Sequence, residues 1–225
     1  MDLSAINPVL LVASLMVAAT PLLLAAIGEL VVEKSGVLNL GVEGMMIVGA
    51  ISGFAISVES GSPMLGLLAA VIGGALLSLL FAFLTQFALA NQVASGLALT
   101  LFGLGLSALM GQSYVGIKPP AMSKLDLPVI SDMPVIGPIF FSHDPVLYIG
   151  VALIATVWAL LKFSRIGLIL RAVGENHDAA HALGYNVIKV RLLAIMFGGA
   201  CAGLGGAYIS LIRVPQWTEG MTAGI

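Results

Sequence analysis

Six apolar runs, each close to or above membrane-crossing length, set the limits on what this chain can fold into. They lie at 8–28, 37–58, 64–90, 93–111, 145–161 and 192–212. Roughly 17–25 helical residues cross about 30 Å of hydrocarbon. Inside it every backbone N–H and C=O must be satisfied by the chain itself, so such runs become helices. The expected fold is all-α, a polytopic transmembrane helical bundle with six membrane segments in 1–225. Only 9% of the residues are charged, against about 25% in soluble domains. The net charge of −2 says nothing about nucleic acid, but the sequence has no basic patch large enough to track a phosphate backbone, so no nucleic-acid partner is expected and membrane lipid forms the surroundings. The one cysteine, Cys201, lies in the sixth run and reads as a small packing residue. No Lys or Arg precedes Lys34, so the first run lacks the basic start of a cleavable signal and is expected to be retained.

The connections at 59–63 and 91–92 are short, which predicts antiparallel hairpins on either side. Segment 162–191 holds Lys162, Arg165, Arg171, Lys189 and Arg191, five of the nine basic residues. The excess of positive charge on cytoplasmic loops places it inside. Alternation then puts 29–36 inside with it, and puts 1–7, 59–63, 112–144 and 213–225 outside. Segment 112–144 carries Pro119, Pro120, Pro128, Pro134 and Pro138. It is expected to be a stiff extracytoplasmic loop, with a short re-entrant piece near 135–141, serving as a docking surface or as a plain connector. Gly49/Gly53, Gly199/Gly203 and Ala202/Gly206 are spaced four apart, a pattern that lets helix backbones approach closely in lipid.

Two polar features interrupt the apolar pattern. The first is Arg171–Asn186, RAVGENHDAAHALGYN, which predicts a short cytoplasmic helix. Asn176 can cap it, Asp178 suits the positive end of its dipole, and Gly184 can end it. A helix this short needs something to press against; the alternative is a connecting loop with helical character. His177 and His181 stand at i, i+4, but Asp178 sits where a zinc protease carries its Glu and no third ligand is evident, so no metal is expected. The second feature is Gly36–Ala50. Asn39 and Glu43 lie in a run expected to span, where a central carboxylate costs about 2.5–3.5 kcal/mol on insertion scales. Gly41 and Gly44 allow a broken helix there, and such breaks lie beside transport pathways. Glu43 can serve that pathway or simply cap the N–H groups freed by the break. Gly28–Ser35 comes near a phosphate-binding loop but has Glu33 where the second glycine is required, which leaves no nucleotide site here.

EKSGVLNLGVEGMMIVGA (33–50) resembles the signature near the second span of bacterial ABC-type import permeases for ribose-like sugars, branched-chain amino acids and nucleosides, and is especially similar to the nucleoside-uptake branch. RAVGENHDAAHALGYNVIKVR resembles their cytoplasmic loop, with Asp178-Ala179-Ala180 and Gly184 echoing the E-A-A-x-x-x-G pattern that engages the ATPase. Asn91-Gln92-Val93-Ala94-Ser95-Gly96-Leu97 is a third, weaker match. The resemblance implies a plasma (inner) membrane permease subunit that does no covalent chemistry. Its implied partners are a cytoplasmic ABC ATPase, a second permease subunit (identical or not) and an extracytoplasmic substrate-binding lipoprotein. The chain would hold no cofactor, with ATP and magnesium on the ATPase. Residues 171–186 would form the coupling helix, with Glu175, Asn176, Asp178, Ala179, Ala180 and Gly184 meeting the ATPase. Asn39, Gly41, Glu43, Gly44, Asn91, Gln92 and Ser95 would mark the pathway or the broken helix. Members of the family continue for further spans beyond a segment like 217–225, so the chain is expected to be shorter than the full permease. The competing class is an ion-coupled secondary transporter using Glu43. The scarcity of other intraspan charges argues against it, and the absence of histidines from the spans argues against an intramembrane enzyme.

Overall fold

The computed structural model describes residues 7–123, 141 and 143–222. These form eight α-helices: α1 (Pro8–Lys34), α2 (Val42–Ser60), α3 (Pro63–Ala82), α4 (Gln92–Gly111), α5 (Pro145–Phe163), α6 (Arg165–Glu175), α7 (His177–Ala182) and α8 (Val187–Tyr208). π-helical turns, Phe83–Phe87 and Ile209–Arg213, prolong α3 and α8. Six helices are long and apolar enough to cross a membrane. The fold is an all-α polytopic bundle.

The helix starts are written in the sequence. Pro8, Pro63 and Pro145 open α1, α3 and α5, where a missing N–H costs nothing. Asn7, Asn91, Asp144, Ser164, Asn176 and Asn186 each accept a backbone N–H of the helix they precede. Such caps are worth about 1 kcal/mol apiece.

α8 is the central strut, packed against α1, α2 and α3. The approach depends on absent side chains. A Cβ on Gly203 would strike the carbonyl oxygen of Ala70 and lie 3.1 Å from the Cα of Gly74, and one on Gly206 would strike the carbonyl of Met46. The expected small-residue pairs are therefore realised between helices: Gly49 faces Gly203, Gly53 faces Gly66, and Gly199 faces Gly74 and Ser78. Phe54, Phe81, Met45, Ile47, Ile51 and Tyr208 fill the space around them, each essentially unexposed. Cys201 is buried in this packing as expected. The 59–63 hairpin pairs α2 with α3. The connection before α4 behaves differently from expectation: α4 packs on α2 instead of lying along α3. The reason is glycine again, since Gly103 abuts the backbone of Gly44 and leaves no room for a Cβ.

α5 rests on α1 and α6. Its N-cap, Asp144, also accepts a hydrogen bond from the Tyr208 hydroxyl of α8, 2.9 Å away. At that same end Val115 pairs with Trp217 as an isolated bridge, and Trp217 packs against Phe54. Tyr114 donates to Glu59 there. Lys124, Pro128, Pro134, Pro138 and 135–140 of the expected stiff loop lie outside the described residues.

Candidate functional site

The end of α1, the start of α2, the turn between α3 and α4, α7 and the start of α8 gather at one end of the bundle. Two elements there carry the polar residues singled out in the sequence. The first is the non-helical stretch 35–41 between α1 and α2. Its burial alternates strictly: Ser35, Val37, Asn39 and Gly41 are buried, while Gly36, Leu38 and Leu40 are exposed. Turns at Ser35-Gly36 and Leu40-Gly41 bracket Val37–Asn39, and one side of the stretch is covered.

A hydrogen-bond clasp holds this segment. The Asn39 amide donates to Glu29 Oε1 of α1 at 3.1 Å, and the Asn39 side-chain oxygen accepts from the Gly41 amide at 2.9 Å. Across the segment, the Leu38 amide donates to Gln92 Oε1 at 2.8 Å, and Thr100 Oγ1 donates to the Leu40 carbonyl at 3.2 Å. Gly96 lies against Leu40 and Gly41 so closely that a Cβ would stand 2.8 Å from the Leu40 nitrogen. The structure thus brings together Asn39, Gly41, Gln92 and the first turns of α4. Asn91 caps α4 through Ala94 at 3.1 Å, and Ser95 is buried beside Gly96.

Glu43 is not at the centre of a membrane helix. Gly41 is the N-cap of α2, so Glu43 falls in the first helical turn, partly exposed, where the helix dipole favours a carboxylate. The helix break is real but lies ahead of Glu43, because the chain stays non-helical through Gly41. No side-chain hydrogen bond caps α2. Gly44 serves packing, since a Cβ there would lie 2.7 Å from the Leu99 carbonyl.

Glu43 is also not the sole carboxylate within the spans, because α1 runs on to Lys34 and takes in Glu29. Its Oε1 holds Asn39; its Oε2 is buried without a partner among the described residues. A first span that ends at Gly28 leaves Glu29 outside it. The signal was the continued apolar run Leu30-Val31-Val32 beyond Glu29.

The second element is α7. The stretch 171–186 is not one helix: Arg171–Glu175 close α6, and α7 starts anew after Asn176. Asn176 caps it through the Ala179 amide at 3.0 Å. Gly184 ends it with φ +89°, in open space. Ala180 is only 2% exposed and faces the chain's own interior, so it does not stand on the outward surface with Asp178, Ala179, Ala182 and Leu183. Glu175 is exposed at the end of α6. His177 and Asp178 approach to 3.4 Å on the surface.

The two elements are mechanically joined. Arg191, one turn into α8, donates from Nε to the Ser35 carbonyl at 3.2 Å. Gly174 of α6 presses on the backbone of Lys34 and Gly36, with no space for a side chain between them. Anything that displaces α7 therefore bears on both helices flanking it and, through them, on the root of the non-helical segment. The sequence marks Arg191 only as one of the basic residues of 162–191; its offset of 156 residues from Ser35 leaves no local sign of this contact.

A sequence model of the family described as branched-chain amino acid transport system / permease component matches residues 11–225. The chain belongs to this family. Three relatives agree. A putative glucose ABC transporter permease protein of Haloferax volcanii is 40% identical over 92% of this chain and 64% of its own length. A guanosine ABC transporter permease protein of Bacillus subtilis is 37% identical over 100% of the chain and 74% of its own. A nucleoside ABC transporter permease protein of Lactococcus lactis is 34% identical over 88% and 66%. The chain thus spans about two thirds of the length of two of these relatives and three quarters of the third. No solved structure matches it. With six apolar spans and this family, the chain is a multi-pass protein of the plasma membrane.

Proposed function

We propose that this chain lines the translocation pathway of an ATP-binding-cassette importer, with a nucleoside as cargo. ATP and magnesium are held by a separate cytoplasmic ATPase, a second permease subunit completes the pathway, and an extracytoplasmic binding protein delivers the solute. The observation that carries the reading is α7: a capped, six-residue helix, exposed on one face, in a chain of a permease family. Two relatives named for guanosine and nucleoside transport favour the cargo; the relative named for glucose keeps a sugar as the second reading.

The α7 end is then cytoplasmic. Closure of the ATPase pair pushes α7, which moves α6 and the start of α8. The Arg191–Ser35 bond and the Gly174–Lys34 contact pass that displacement to the non-helical segment 35–41 and its clasp on α4. Small displacements become discrete because tightly packed helices have few alternative arrangements. The membrane chain does no covalent chemistry.

Co-purification of the ATPase with the complete permease tests this directly. Ala182→Trp adds bulk on the exposed face of α7, which the free permease tolerates, and an overpacked contact costs about 1–3 kcal/mol. Complex occupancy should fall roughly five- to 150-fold, with membrane insertion unchanged. His177→Ala with His181→Ala should do far less. Undiminished co-purification and solute-stimulated ATP hydrolysis in Ala182→Trp would remove α7 as the coupling element.

A further inference from the structure

We infer that the turn after α3, with Leu89 at its tip, is a second docking element for the ATPase that α7 engages; the inference rests on that reading of α7. Leu89 is the one non-glycine residue with positive φ among the described residues, at +52°. The Ala88 amide bonds to the Phe83 carbonyl at 3.1 Å and the Ala90 amide to the Leu84 carbonyl at 2.9 Å, which closes the helix end around Leu89. This left-handed position is normally given to glycine, because a Cβ crowds the following carbonyl. The leucine gains nothing inside the fold in return. It is 83% exposed, more than any other large apolar residue described.

A strained, outward-facing leucine is explained by a contact outside the chain, since such strain collects at clamps and switch regions. Its surroundings say what kind. Leu89 lines a cleft of about 540 Å³ whose walls include Gln86, Gln92, His177, His181 and Arg191. Those five side chains, with Asp178 beside them, put hydrogen-bonding groups among apolar lining residues that include Val187 and Ile188, a mixed surface that suits a protein partner better than lipid tails. Leu183, 76% exposed, stands at the end of α7 beyond His181. The matching surface is a folded protein with an apolar socket for Leu89 and acceptor groups facing the two histidines. An ATPase seated on α7 has the edge of this cleft within reach, because α7 forms one wall of it.

The test uses the complete permease expressed with its ATPase. Leu89→Gly relieves the strain and removes the knob. Its melting temperature should hold or rise, while ATPase affinity falls roughly tenfold or more, as expected from unburying one leucine. Leu89→Gln keeps the strain and should lose the affinity without the thermal gain. If Ala182→Trp releases the ATPase and neither Leu89 variant does, the second element is refuted and the α7 reading stands. If none of the three does, both fall. Lowered melting in lipid nanodiscs by Leu89→Gly and Leu89→Gln, with or without altered ATPase binding, would show Leu89 serving the fold or the bilayer interface, and also refutes the inference.

Discussion

Gly203→Ala adds one methyl at the point where α8 crosses α2 and α3. Its Cβ would overlap the Ala70 carbonyl and stand 3.1 Å from the Gly74 Cα. Both are backbone, so neither can swing aside, and the helices must part. Gly105→Ala is the control: Gly105 lies within α4 with nothing within 4 Å of an added Cβ. Each substitution gains about 0.5–1 kcal/mol of helix preference. That gain cancels in the difference between them, which then reports the overlap alone, about 1–3 kcal/mol. At about 2–4 °C per kcal/mol for a chain of this size, Gly203→Ala should melt roughly 2–12 °C below Gly105→Ala. Fluorescence-detected gel filtration of the heated, detergent-solubilised permease reads the midpoints. Equal midpoints, or a higher one for Gly203→Ala, would refute the claim that α8 is held by backbone contact.

Three further outcomes are expected. Glu29→Gln should keep the bond to the Asn39 amide and most stability, whereas Glu29→Leu strands that buried N–H and should cost about 1–3 kcal/mol in thermal unfolding. Tyr208→Phe should cost about 1.5–3 kcal/mol by leaving the buried Asp144 carboxylate without its hydroxyl donor, measured the same way; a loss under 0.5 kcal/mol would show that the pair is not a tie between α5 and α8. In a Cys201→Ala background, Ser123→Cys should react with a membrane-impermeant thiol reagent from outside intact cells, and Ala182→Cys only after the membrane is opened.

The spans, the Asn176 cap and the small-residue spacing were legible because each is local: apolar length, a side chain next to a helix start, a spacing of four. Gly49, Gly199 and Gly203 signalled close packing, though not which helix each would meet. What escaped was set by tertiary contact. Glu29 looked like a loop residue because apolarity dips there, yet α1 continues to Lys34 and its carboxylate finds a partner in Asn39. Glu43 drew attention by its cost at membrane depth, a cost the chain avoids by staying non-helical through Gly41. The six residues of α7 are too few for periodicity to show that Ala180 turns inward and Ala182 outward. Leu89 gave no sign at all, since strain is a property of φ and leucine is common everywhere in this chain.

Uptake by proteoliposomes containing the complete permease, its ATPase and its binding protein tests the central claim most directly. Labelled guanosine should accumulate only with internal or external ATP available to the ATPase face, should persist when proton and sodium gradients are collapsed, and should be competed by other nucleosides more strongly than by glucose. Accumulation that needs an ion gradient and ignores ATP would contradict the account.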